Sequence, residues 1–120
     1  MADRRFEELS ELREALREFA HDREWEKFHT PKNLAASVCI EAGELLEQFQ
    51  WLNNGDGTEV SAAAKKLIEA EIADVFIYLI RLADVLDISL IDAANSKLQS
   101  NAEKYPADIV RGSSKKYSDY

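Results

Sequence analysis

Apolar residues recur at helical spacing through most of this chain, and no stretch shows the alternation of period two that a half-buried strand requires. Phe6, Leu9, Leu12, Leu16 and Phe19 stand three or four apart among charged residues, which predicts a first helix from about Asp3 to about His21. Thr30 followed by Pro31 is a helix start, a capping hydroxyl and then a residue suited to the first turn. The helix it opens is predicted to run to about Leu52, where Asn53-Asn54-Gly55-Asp56-Gly57 ends it. Ser61 and the alanines after it open a third helix that reaches Leu86. Ser89 with Asp92 opens a fourth, which continues through about Lys104 and is stopped by Pro106. Residues 107–120 read as an irregular tail. With connections this short the expectation is one all-α domain over 1–120, an antiparallel four-helix bundle in which helices two and three face each other.

Four carboxylates interrupt that pattern. Glu41 and Glu44 share a sector of helix two with Leu34, Ser37, Val38, Leu45, Gln48 and Leu52. Glu71 and Asp74 share a face of helix three with Ala64, Leu67, Val75, Tyr78 and Leu82 rather than with Lys65 and Glu69. Two helices therefore each aim two acids inward. Burying unpaired carboxylates costs several kcal/mol per ion, so they must be protonated, paired with basic groups or neutralised by cations. Arg81, one to two turns beyond the second pair, could serve one acid, but no set of Lys or Arg on these faces could serve four. Hard oxygen donors select Mg²⁺, with Mn²⁺ as a possible substitute, over zinc.

Composition narrows the reading further. The segment from Ile72 to Leu86 is apolar around nearly its whole circumference, so it should be buried on several sides, and in a chain of 120 residues one of those sides is expected to face another subunit. Asp74, Arg81 and Asp84 within it argue against a membrane span. A formal charge of −8 disfavours binding to nucleic acid or to anionic membranes. The single Cys39 forms no intramolecular disulfide and reads as a small core residue. The N-terminus lacks the apolar core of a signal peptide, and a cytoplasmic location fits best.

The ordered set of motifs resembles a known family. Glu41-Ala-Gly-Glu44 followed by Glu71-Ile-Ala-Asp74 is similar to the E-x-x-E…E-x-x-D signature of the MazG-like all-α nucleoside triphosphate pyrophosphohydrolases. Trp25-Glu-Lys-Phe-His-Thr-Pro-Lys-Asn-Leu34, Phe49-Gln-Trp51, Tyr78, Lys104-Tyr105-Pro106 and the run from Arg111 to Tyr117 resemble the dCTP pyrophosphatase branch. The resemblance implies Mg²⁺-dependent hydrolysis of a nucleoside triphosphate, preferably a deoxycytidine nucleotide or a base-modified form, to the monophosphate and pyrophosphate. It implies Glu41, Glu44, Glu71 and Asp74 as metal ligands, Trp25, Trp51 and Tyr78 in the base and sugar pocket, and a homotetramer. One position departs: Leu16 stands where this branch has a base-contacting histidine, which leaves the base preference open.

Phosphoryl chemistry of this kind needs little covalent help, because holding Mg²⁺, neutralising phosphate oxygens and positioning a water supply most of the rate. Glu41 or Glu44 is favoured as the base that takes the water's proton, with Glu47 in reserve. Lys32, Lys97, Lys104, Arg111, Lys115 and Lys116 are candidates for the triphosphate tail, Lys104 first. Asn101 could bond to phosphate or sugar, and Tyr105, one turn later, is grouped with it in binding substrate. Two rivals stand beside this reading: a pyrophosphohydrolase that is broad or prefers dUTP, since the acids handle phosphates and only the pocket reads the base, and a non-enzymatic acidic helical module whose acids pair with a partner's basic groups.

Overall fold

The computed structural model of the chain describes residues 5–119, and all of its regular structure there is helical. The elements are α1 (Leu9–Asp22), α2 (Pro31–Glu47), a 3₁₀ turn (Gly57–Glu59), α3 (Ala62–Val85), α4 (Leu90–Lys104), α5 (Ala107–Val110) and a second 3₁₀ turn (Tyr117–Asp119). Three helices start where a hydroxyl caps them. Thr30 Oγ1 accepts the Asn33 N–H at 3.2 Å, Ser61 Oγ that of Ala64 at 3.1 Å and Ser89 Oγ that of Asp92 at 3.3 Å, each satisfying a backbone donor that the first turn leaves without a partner.

Three sequence expectations are corrected. The first helix begins at Leu9 rather than near Asp3, which itself lies outside the described residues, because Glu8 is extended and its side chain provides no cap. Phe6 fits the helical spacing without being helical. The second helix stops at Glu47, short of Leu52: Gln48, Phe49 and Leu52 donate to carbonyls three residues back, the tighter winding common at a helix end. The tail is not wholly irregular, since α5 forms directly after Pro106 and a 3₁₀ turn closes at Tyr117–Asp119.

The chain forms two compact units, Met1–Asp87 and Ile88–Tyr120. In the first, α3 packs along α2 and more lightly on α1. Its buried centre is small, consisting of Ala20, Leu34, Ile68, Ile80 and Ala83 together with one charged side chain, Arg81. Cys39 is exposed, contrary to its reading as core. The run Val38-Cys39-Ile40 spans more than one face of α2, and only one face can meet α3; Ile40 is exposed with it.

In the link from α2 to α3, one side chain gathers three backbone donors. The Glu59 carboxylate accepts the backbone N–H groups of Asn53 (2.7 Å), Asn54 and Gly55 (2.9 Å) in succession. Gly55 sits at φ +75°, a conformation that other residues adopt at a cost. In the second unit, the Tyr105 and Tyr117 rings meet edge to face at 6.3 Å, the Tyr117 N–H donates to the Tyr105 hydroxyl, and Lys104 Nζ lies 4.9 Å from the Tyr117 ring centre.

Candidate metal and nucleotide site

Facing helices decide where the acids meet. Glu41 and Glu44 are one turn apart on α2, Glu71 lies on α3 against them, and one carboxylate oxygen from each comes within 4.8 Å of the other two. Glu41 and Glu71 are half-buried, and the Oε2 atom of each is shielded from water with no hydrogen-bond partner. Among the described residues no Lys, Arg or His pairs with any of the four acids. An oxygen with neither water nor donor is costly to leave so, and three carboxylates in one place, two of them with such an oxygen, suit a hard cation bound through oxygen.

The charges respond to this crowding. The Glu41 carboxyl is pushed up to about 7, first by a hydrogen bond shared with Glu44, then by burial and by the charges of Glu44, Asp74 and Glu71. Glu71 is raised as well, mainly by burial and then by the charges of Glu44 and Asp74, with a smaller push from Glu47. Like charges held this close cannot all ionise freely. Asp74 belongs to the same electrostatic group but not to the tight triad; it lines the cavity next door.

That cavity, about 340 Å³, is walled by Leu16, Phe19 and Ala20 of α1, by Trp25 and His29 of the following loop, and by Asp74, Ile77, Tyr78 and Arg81 of α3. It is largely apolar, with the aromatics Phe19, Trp25 and Tyr78 and one carboxylate, Asp74, among its walls, the composition expected of a small-molecule pocket. Trp25 meets Phe19 edge to face at 5.7 Å and His29 at 6.2 Å.

Arg81, which the sequence offered as a partner for one of these acids, is engaged elsewhere. Its Nε–H donates to His29 Nδ1 at 3.1 Å, and its Nη1 lies 3.6 Å from Asp84, which takes a two-pronged hydrogen bond from Arg17 at 2.7 and 2.5 Å. Because arginine only donates, His29 Nδ1 must be unprotonated, so the imidazole is neutral with its proton on Nε2. Burial, and secondarily the Arg81 charge, hold the His29 pKa down. The hydrogen bond from Arg17 likewise holds the Asp84 carboxyl below its ordinary range.

The structure thus brings together Glu41, Glu44 and Glu71, and beside them Asp74, Trp25 and Tyr78. Trp51 does not join this cavity: it is 86% exposed on the turn after α2. Lys32 is exposed in the first turn of α2. Asn101, Lys104 and Tyr105, with Lys97, Arg111, Lys115 and Lys116, belong to the second unit. His29 is a wall residue that the sequence did not single out, and Arg81, weighed from the sequence as a partner for one acid, lines the same wall. The available signal was Arg81 itself, a cation at the centre of an otherwise apolar helix.

Residues 36–120 match the MazG-like family. The chain is 40% identical over 113 residues to dCTP pyrophosphatase 1 of Homo sapiens, an alignment covering 92% of this chain and 66% of that protein. Against dCTP pyrophosphatase 1 of Bos taurus the identity is 37% over 113 residues, with 92% and 67% covered. The chain spans about two thirds of the length of these relatives. Among solved structures, a pyrophosphatase from Archaeoglobus fulgidus is 47% identical with a TM-score of 0.77, covering 86% of this chain and 96% of that one.

Proposed function

We propose, because the chain belongs to the MazG-like family and its relatives include dCTP pyrophosphatases, that it hydrolyses a deoxynucleoside triphosphate, dCTP or a base-modified dCTP, to the monophosphate and pyrophosphate. The observation that carries this reading is the convergence of Glu41, Glu44 and Glu71 with two carboxylate oxygens lacking any partner. Glu41, Glu44, Glu71 and Asp74 would hold Mg²⁺, or Mn²⁺ in its place. When bound, the cation would supply neutralising charge to the phosphate oxygens and acidity to water.

The chain's own groups do the rest. Glu41 or Glu44 takes a proton from the attacking water at a carboxylate oxygen, with Glu47 at the edge of the cluster as reserve. The water adds to the α-phosphorus and pyrophosphate departs. Trp25 and Tyr78 hold the base and sugar in the cavity of about 340 Å³, and its apolar walls exclude water from the bound nucleotide. Phosphate and sugar contacts are assigned to Lys32 and, in the second unit, to Asn101, Lys104 and Tyr105, and a role in base recognition to Trp51. This arrangement suits the removal of unwanted nucleotides from the cytoplasmic pool.

A second reading, a broad or dUTP-preferring enzyme, is favoured by one observation: Leu16 in the cavity wall offers no hydrogen bond to a base edge. Self-association is proposed as well, since α3 leaves Leu67, Ile72 and Phe76 exposed on a helix too apolar for solvent; four subunits are expected by light scattering. The test of function is turnover of a panel of deoxy and ribo triphosphates with Mg²⁺ or with EDTA, products separated by chromatography. Metal-dependent release of monophosphate and pyrophosphate, fastest with one base, is the expected result. Absence of turnover on every triphosphate would return the acids to a partner-binding role.

A further inference from the structure

The link between α2 and α3 contains a chemically labile junction, apart from the acid cluster. Of the five asparagines in the chain, only Asn54 precedes a glycine. With no Cβ on Gly55, nothing hinders its main-chain nitrogen from reaching the Asn54 side-chain carbonyl carbon. Asn54 and Gly55 are both exposed, so water and general bases have access.

The same residues are held by an unusual clasp. Three successive N–H groups, those of Asn53, Asn54 and Gly55, point at the one carboxylate of Glu59. For the Gly55 nitrogen to attack, it must lose its proton, yet that proton is the one donated to Glu59 Oε1 at 2.9 Å. A carboxylate in that position opposes formation of the amide anion by its charge, and the left-handed φ of +75° at Gly55 fixes the peptide that would have to rotate. Glu59 itself stays ionised, because the N–H groups of Asn53 and Asn54, then Gly55, lower its pKa.

The neighbouring Asp56-Gly57 junction is protected differently. Asp56 Oδ1 accepts both the N–H and the hydroxyl of Thr58, which hold the Asp56 carboxyl in its charged form, a poor electrophile. Reactivity is thereby left to the amide of Asn54.

We propose that Asn54 is a deamidation site and that the Glu59 carboxylate sets its rate by holding the Gly55 amide proton. When the clasp opens, the Gly55 nitrogen gives its proton to a solvent base and forms a bond to the Asn54 Cγ. The side-chain nitrogen takes up a proton, its bond to Cγ breaks and ammonia leaves a succinimide ring. Water then opens the ring at either carbonyl, giving aspartate or isoaspartate; the net change is amide plus water to carboxylate plus ammonium. The product carries a new negative charge at residue 54, beside Glu59, and isoaspartate adds a methylene to the main chain between the N–H donors. Either change weakens the clasp, so the first event loosens the link that carries Trp51 into α3.

The experiment is to hold the full-length protein and its Glu59→Gln and Glu59→Ala variants at mildly alkaline pH. Deamidation is then followed by peptide mapping with mass spectrometry and by isoaspartyl methylation, with folding monitored by circular dichroism. The expected result is modification confined to Asn54, several-fold faster in Glu59→Ala than in the native protein and as fast as in urea-unfolded protein. Glu59→Gln, which keeps the size and one acceptor, should fall between and keeps the comparison decisive if the alanine variant fails to fold. Equal rates in the native protein and the folded variants would overturn the proposal, as would reaction at Asp56 or at another asparagine in place of Asn54.

Discussion

Two regions along α3 hold charge inside the first unit, and they solve the problem in opposite ways. Near Asp84 the charges are balanced from within: Arg17 grips Asp84, Arg81 stands beside it, and the neutral His29 accepts from Arg81. Near Glu71 no basic side chain among the described residues balances them, and two carboxylate oxygens lack both water and donor. The balanced set holds α1, the loop at His29 and α3 together. The unbalanced set is a cost to the isolated fold, and a cost of that kind is retained where a ligand relieves it.

Breaking each region should therefore have opposite consequences. Glu41→Gln should lower turnover of the preferred triphosphate by about a thousandfold, within the range for losing a general base, while the metal-free protein melts at the same or a higher temperature; retained turnover would sink the metal assignment. Asp84→Ala should do the reverse, leaving the acids intact but costing about 3 kcal/mol in urea unfolding. That figure is the low end for removing one partner of a buried pair, because Arg17 is itself half exposed.

The pH dependence separates the two regions more finely. Glu41 ionises near its ordinary 4.5 in the unfolded chain but at about 7 in the fold. Between those values the folded state binds more protons, so this acid should make the metal-free protein less stable as pH rises through that window, and Mg²⁺ should abolish the loss. Asp84 runs the other way: its folded pKa lies below 3.8, so its contribution is full at neutral pH and is lost as pH falls below 3.8 through the depressed value. Melting curves across pH, with EDTA and with Mg²⁺, should show both slopes. If Mg²⁺ leaves the neutral-pH stability unchanged, the unbalanced acids are not its site. The smallest effect is expected at Trp51: because it is so exposed, Trp51→Ala should alter stability by no more than about 0.5 kcal/mol. Its KM should rise more for dCTP than for other triphosphates, and a uniform rise would remove Trp51 from base recognition.

Much of this was legible in the residues. Thr30, Ser61 and Ser89 marked three helix starts, since a capping bond reaches only three residues along the chain. The acid pairs were legible too, because residues three apart share a helix face whatever that face meets. The end of α2 was not, as Gln48 to Leu52 continue the apolar spacing while their hydrogen bonds tighten and stop. Neither was the exposure of Cys39, for a helix apolar on several faces does not announce which one is covered.

The sequence by itself thus determined the all-α class, three of the helix starts and which acids share a helix face, all of which depend on period and local hydrogen bonding. Tertiary packing decided which charges find partners. Arg81 is 52 residues from His29 and Arg17 is 67 from Asp84, and only the docking of α1 and the loop onto α3 brings them within bonding distance. The same packing set α2 against α3, brought Glu41, Glu44 and Glu71 together and left Asp74 to the cavity beside them. Electrostatic compensation falls off over a few ångströms, so it depends on which surfaces meet, and chain order does not encode that directly.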